Sequence, residues 1–170
     1  FLVSKGYIVV GNDHLGHGAS VKDESDHGYF GEDGNAHVIA DLHNLRKKIT
    51  VEHPGIPYYF LGHSMGSFLL RQYLSTSDEM REDGSRVTYS EGLAGAVVMG
   101  TGWQPEAVLS FGRGMCKFLS LFGGWHKKSR LIDSLSFGPY FKRIPEPRTA
   151  NDWLSVNEEN VDNYRADPWC

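Results

Sequence analysis

Apolar positions along the chain alternate between two rhythms as far as Met99 and then change character. Tyr7–Val10 is a short continuous apolar run rich in β-branched residues, the pattern of a strand buried on both faces. Gly6 before it stands where a helix would end. Polar, glycine-rich loop follows over 11–21 and 23–35. In His37–His53, Val38, Leu42, Leu45 and Ile49 recur at helical spacing, so one apolar stripe predicts an amphipathic helix. Lys47 and Lys48 suit its C-terminal end, and Pro54, Gly55 and Pro57 stop it. Tyr58–Leu61 reads as a second buried strand, Ser64–Leu74 as a second helix and Leu93–Met99 as a third strand. The charged stretch Ser75–Glu91 reads as a surface connection, with the acidic run Asp78–Asp83 a solvated face. Strand, helix, strand, helix, strand predicts an α/β fold with a parallel sheet and right-handed crossovers.

After Gly100-Thr101-Gly102 that rhythm stops. Pro105–Phe122 predicts an apolar helical stretch interrupted by Gly112 and Gly114, and a loop-rich, aromatic region follows it. A boundary falls there, dividing a core at 1–101 from a helical insertion at 102–170. Composition narrows the classes further. Of 170 residues, 40% are hydrophobic and 22% charged, enough for a packed core. A net charge of −4 argues against a nucleic-acid partner, which would require a basic field. No apolar run is long enough to span a bilayer. Cys116 and Cys170 form neither a disulfide framework nor a zinc pattern, which fits a reducing, cytoplasmic compartment. The chain opens on Phe1 and stops at DPWC, and it reads as a piece of a longer protein.

Chemistry concentrates in Gly62-His63-Ser64-Met65-Gly66, a G-x-S-x-G match set between a predicted strand and a predicted helix. A serine in so sharp a turn crowds its neighbours two residues away, and Gly62 and Gly66 would relieve the crowding. The turn lifts the hydroxyl above the sheet edge and points the Met65 N–H at a developing oxyanion. A serine beginning a helix is also an ordinary cap, but capping does not explain the paired glycines.

Three stretches together resemble the α/β-hydrolase superfamily, in its monoacylglycerol lipase and lysophospholipase group, the serine aminopeptidase S33-like hydrolases. Val10–Ser20, VGNDHLGHGAS, is similar to the family's D-x-x-G-H-G-x-S loop, and LGHSMG at Leu61–Gly66 to its nucleophile elbow. Asn151–Cys170 is similar to a W-L-S…V…Y…D-P-x-C segment of the cap. The resemblance implies an α/β-hydrolase fold: a partial parallel sheet with helices on both faces, plus an incomplete helical cap. It implies Ser64 as nucleophile, Met65 as one oxyanion donor, and ester hydrolysis through an acyl-enzyme with no cofactor and no metal. The substrate would be a small-molecule or lipid ester, monoacylglycerol or lysophospholipid. Acid and base would lie beyond Cys170 and the second oxyanion donor before Phe1, so the 170 residues alone are expected to be inactive. Exposed sheet edges predict poor solubility.

Local residues do not replace the missing groups. His63 should point away from the nucleophile's face, and His14 and His17, spaced H-x-x-H beside Asp13, read as loop-shaping rather than metal-binding. Asp152, Asp162 and Asp167 read as surface charges or caps. The stripe from Phe111 to Trp125 reads first as cap packing. It is also suited to an acyl-channel wall or to transient contact with a membrane surface. The competing classes are a degenerate non-catalytic copy, a short-chain esterase, an aminopeptidase and an acyltransferase.

Overall fold

The computed structural model describes residues 1–168. Trp169 and Cys170, the end of the segment similar to D-P-x-C, lie outside the described residues. Contacts divide the chain into two compact units. The first comprises Phe1–His14 and Phe30–Gln104, and the second Leu15–Tyr29 together with the chain from Pro105 onward. The loop segment Leu15–Tyr29 thus groups with the later residues rather than with those flanking it.

In the first unit, helix α1 spans Gly34–Glu52, strand β1 Tyr58–His63, helix α2 Met65–Ser75 and strand β4 Leu93–Met99. β1 and β4 pair in parallel from Tyr58↔Leu93 to His63↔Met99, as a strand–helix–strand crossover requires. α2 packs on both strands and on α1. The core lies on this side: Val38 and Ile39 of α1 and Leu69, Leu70 and Tyr73 of α2 are buried. Burying a side chain such as Leu69 or Leu70 contributes about 1.5–3 kcal/mol. Alternation in β1 sends Tyr58, Phe60 and Gly62 toward the core, while Tyr59, Leu61 and the facing Val97 are half-exposed.

One buried cation organises this core. Arg46 of α1 donates to the Tyr73 hydroxyl (3.3 Å) and to the carbonyls of Tyr89 and Glu91, and lies over the Tyr58 ring. His43 Nδ1 lies 3.0 Å from the Tyr73 hydroxyl, and its ring stacks on Tyr89 at 3.7 Å. Burial raises the Tyr73 phenol above its ordinary value, with Arg46 opposing the shift.

Several elements differ from the sequence reading. Tyr7–Val10 forms no strand: it pairs with no strand among the described residues, and its side chains are exposed. A β-rich run becomes a strand only against a neighbour that satisfies its backbone, and none lies beside it. Gly6 does end a helical turn, the 3-10 segment Val3–Lys5, with φ +85°. The connection Ser75–Glu91 holds a hairpin, β2 at Ser77–Met80 antiparallel to β3 at Arg86–Thr88.

The second unit is helical. α3 spans Glu106–Ser120, α4 Arg130–Phe141 and α5 Glu158–Ala166. α4 and α5 stand where loop was expected. Capping explains both: the Ser129 hydroxyl accepts from the Ile132 N–H, and the Asn157 side chain from the Glu159 N–H. Trp153 stacks between the Phe137 and Tyr140 rings. No helix among the described residues is long and apolar enough to cross a membrane.

Candidate active site

The elbow is built where β1 runs into α2. Ser64 sits between them with φ +51° and ψ −119°, a conformation that L-residues rarely adopt. Three contacts hold it there. The Ser64 N–H donates to the Met99 carbonyl at 3.0 Å, which ties the turn to the end of β4. The Ser64 carbonyl accepts from the Ser67 N–H (2.9 Å) and from the Ser67 hydroxyl (2.6 Å). Ser67 is fully buried, so its hydroxyl has no competing water.

The two glycines turn out to have different tasks. A Cβ on Gly62 would fall 2.4 Å from the Gly66 carbonyl oxygen and 2.9 Å from Leu70 Cβ. Neither a backbone atom nor a branched side chain at that distance can yield cheaply, so this position is closed to any side chain. A Cβ on Gly66 would meet nothing within 4 Å. Gly62 therefore relieves the crowding, and Gly66 contributes the backbone that crowds. The expectation that both glycines serve for lack of a side chain is corrected here.

Ser64 holds the N-cap position of α2, yet its side chain makes no capping bond. A capping serine takes a β-region backbone and accepts from the second or third N–H of the helix. Ser64 does neither, so simple capping does not account for it. The hydroxyl is exposed, and no histidine among the described residues hydrogen-bonds it. Met65 opens α2, so its N–H has no acceptor within the helix and lies at the positive end of the dipole.

The remaining candidates fall elsewhere. His63 ends β1 with its ring against Gly100, where a Cβ would stand 3.3 Å from Nε2. His17 Nδ1 lies 3.0 Å from the Leu15 carbonyl, a local loop contact. Asp152 accepts from the Thr149 hydroxyl (2.6 Å) and from the Thr149 and Arg148 N–H groups, and the Thr149 hydroxyl is the main cause of its lowered pKa. Arg148 also reaches Asp162 (3.4 Å) and Glu158 (3.6 Å), so these carboxylates belong to one surface ion cluster. Asp167 stands at the C-cap of α5.

Two positioning groups escaped the sequence reading. One is Ser67; a small polar residue one turn past the serine was the available signal. The other is Arg71 of α2, which donates to the Gly102 carbonyl (3.0 Å) and reaches Thr101 Oγ1 (3.4 Å), fastening the segment after β4 beside the elbow. A surface cavity of about 430 Å³ lies away from the elbow, lined by His43, Arg46, Lys47, Thr50 and Glu91 among others.

Comparison with known proteins agrees with this geometry. The chain is similar to a thermostable carboxyl esterase from Bacillus coagulans, solved in complex with glycerol, at 29% identity and a TM-score of 0.73. The match covers 92% of this chain and 46% of the esterase, so the chain spans about half that protein's length. No curated protein matches it. The family model described as serine aminopeptidase, S33, matches residues 1–170. A strained serine between a parallel strand and its helix, in a chain matched from end to end, places the protein in the serine aminopeptidase S33 family of α/β-hydrolases.

Proposed function

We propose that this chain carries the nucleophile of a serine hydrolase that cleaves carboxylic esters of lipids, monoacylglycerol or lysophospholipid. Ser64 Oγ would attack the ester carbonyl while a histidine takes its proton. The tetrahedral oxyanion would accept a hydrogen bond from the Met65 N–H. Collapse would expel the alcohol, which leaves with the proton held by the histidine, and water would then release the acid from Ser64. The observation that carries this reading is the backbone of Ser64, held at φ +51° by Met99 and Ser67 with its hydroxyl uncommitted to a cap. Strain of that kind persists only where surrounding structure enforces it.

The histidine and its carboxylate would come from residues beyond Cys170, and the second oxyanion donor from before Phe1. Two observations support this division. No histidine among the described residues bonds Ser64, and the chain spans 46% of the similar esterase. The 170 residues alone would then show negligible turnover. The similar esterase supports an ester rather than an amide, and the exposed apolar helix of the second unit supports a lipid acyl chain.

Fluorophosphonate labelling of the longer hydrolase tests the nucleophile. Label should appear on Ser64, and Ser64→Ala should abolish it and lower kcat by about 10⁴-fold or more. Monoacylglycerols and long-chain p-nitrophenyl esters should outpace short-chain esters and aminoacyl amides. A label on another residue overturns the nucleophile. A clear preference for aminoacyl amides overturns the lipid ester in favour of an aminopeptidase.

A further inference from the structure

Resting on the serine-hydrolase reading above, we propose that Ser67 is a positioning residue for the oxyanion. By holding the Ser64 carbonyl, its hydroxyl aims and strengthens the Met65 N–H at the other end of the same peptide group.

The Ser64 carbonyl and the Met65 N–H belong to one peptide unit. That unit is planar and, like all peptide bonds among the described residues, trans, so its C=O and N–H point in opposite directions. Fixing one end therefore fixes the other. Ser67 holds the carbonyl end twice, through its N–H at 2.9 Å and its hydroxyl at 2.6 Å. The preceding peptide is held separately, where the Ser64 N–H donates to the Met99 carbonyl at 3.0 Å. Met99 thus sets the plane that leads into Ser64, and Ser67 sets the plane that leaves it. Together they define the φ of +51° and ψ of −119°.

Other helices of this chain begin without such a side chain. The carbonyls of Asp33 and Pro105, at the same place before α1 and α3, each accept two backbone N–H groups. The Ser64 carbonyl accepts one backbone N–H and the Ser67 hydroxyl. Ser67 is fully buried, and both of its bonds run within the elbow itself. A hydroxyl on the carbonyl also polarises the amide, and bonds linked in this way strengthen one another by about 10–30%. An N–H aimed at the oxyanion position gains most when the ester oxygen takes up charge. Loss of the Ser67 hydroxyl should therefore fall on the chemical step and spare ground-state binding.

The test is Ser67→Ala and Ser67→Cys in the longer hydrolase, the second keeping a similar shape with a weak donor. Fluorophosphonate should label Ser64 of both variants to full stoichiometry, but more slowly. The value of kcat/KM on a long-chain p-nitrophenyl ester should fall about tenfold or more. A trifluoromethyl ketone of the same chain, whose adduct with Ser64 carries an oxyanion, should lose affinity by a similar factor. The matching ether, which forms no adduct, should bind unchanged. Unchanged ketone affinity in both variants overturns the proposal. So does an equal loss for ketone and ether, because Ser67 would then shape the pocket rather than aim the donor. Incomplete labelling of both variants also overturns it, since Ser67 would then hold the fold. Failure of Ser64 to label in the unsubstituted hydrolase refutes the nucleophile instead. Full labelling with unchanged ketone affinity refutes the role of Ser67 alone.

Discussion

The two units contain similar amounts of apolar sequence and differ in how much of it they bury. The first buries one side of its sheet: α1, α2 and β1 close over Val38, Leu70 and Tyr73, with Arg46 and His43 fastening the polar groups between them, while Tyr7–Val10 and the side carrying Tyr59, Leu61 and Val97 stay exposed. The second buries less: Val161 is its buried apolar residue among those described, and the aromatic side of α3 is exposed. Burial in the first unit fixes a serine backbone in one strained conformation. The contrast is between a unit with a packed core under its sheet and a unit with little core of its own, and each is open to direct attack.

The largest effect should come from Gly62→Ala. The added methyl meets the Gly66 carbonyl and Leu70 together, so the turn must open, at a cost of about 3 kcal/mol or more. Gly66→Ala should change stability by less than about 1 kcal/mol, since open space surrounds that position and alanine favours the helix. Urea unfolding of the pair compares them directly, and equal losses would sink the division of labour between the two glycines.

Next comes Arg46→Met, which keeps the stem and removes three donated hydrogen bonds from a buried site. The orphaned carbonyls of Tyr89 and Glu91 should cost about 2–4 kcal/mol. Hydrogen exchange should rise first in the hairpin β2–β3, whose return to β4 is held by those carbonyls. In the second unit Val161→Ala should cost about 1–2 kcal/mol, while Phe111→Ser should leave stability within about 0.5 kcal/mol. A large loss at Phe111 would mean that the aromatic side of α3 is packed rather than exposed.

Legibility in the sequence follows the same division. The elbow was readable because its signal is local: a serine between two glycines, a strand before and a helix after. α1 was readable as a helix, and its inward face in part. The apolar stripe named Val38, which is buried, with Leu42, Leu45 and Ile49, which are half-buried, and passed over Arg46 and His43, whose polarity hides them from any hydrophobic pattern. Tyr7–Val10 has the composition of a strand and none of the pairing, because a strand is completed by partners distant in sequence. The hairpin had a signal that went unread. Asp83-Gly84 between two short runs marks a turn, and Asp83 accepts from the Ser85 N–H (2.8 Å) and hydroxyl (2.6 Å) beside Gly84 at φ +80°. Ser67 offered only a weak signal, a small polar residue one turn past the serine, and its hydroxyl is seen to hold the Ser64 carbonyl only in the folded turn.

The smallest expected effect is a pH dependence in the second unit. The Thr149 hydroxyl is the main group holding the Asp152 carboxyl below its ordinary 3.8, and the two N–H donors and Arg148 add to it. A carboxyl with a depressed folded pKa stabilises the fold fully above its unfolded value, and that stability disappears as pH falls through the folded one. Thr149→Val removes the strongest donor and should bring the Asp152 titration, followed by its carboxyl carbon resonance, back toward 3.8. The stability difference between the two proteins should be constant above about pH 5 and should shrink as acid protonates Asp152 in both. An unchanged titration would assign the shift to the two N–H donors and Arg148 instead. Arg148 reaches Asp152, Asp162 and Glu158 alike, so Asp152 stands in one surface ion cluster rather than as a carboxylate reserved for catalysis.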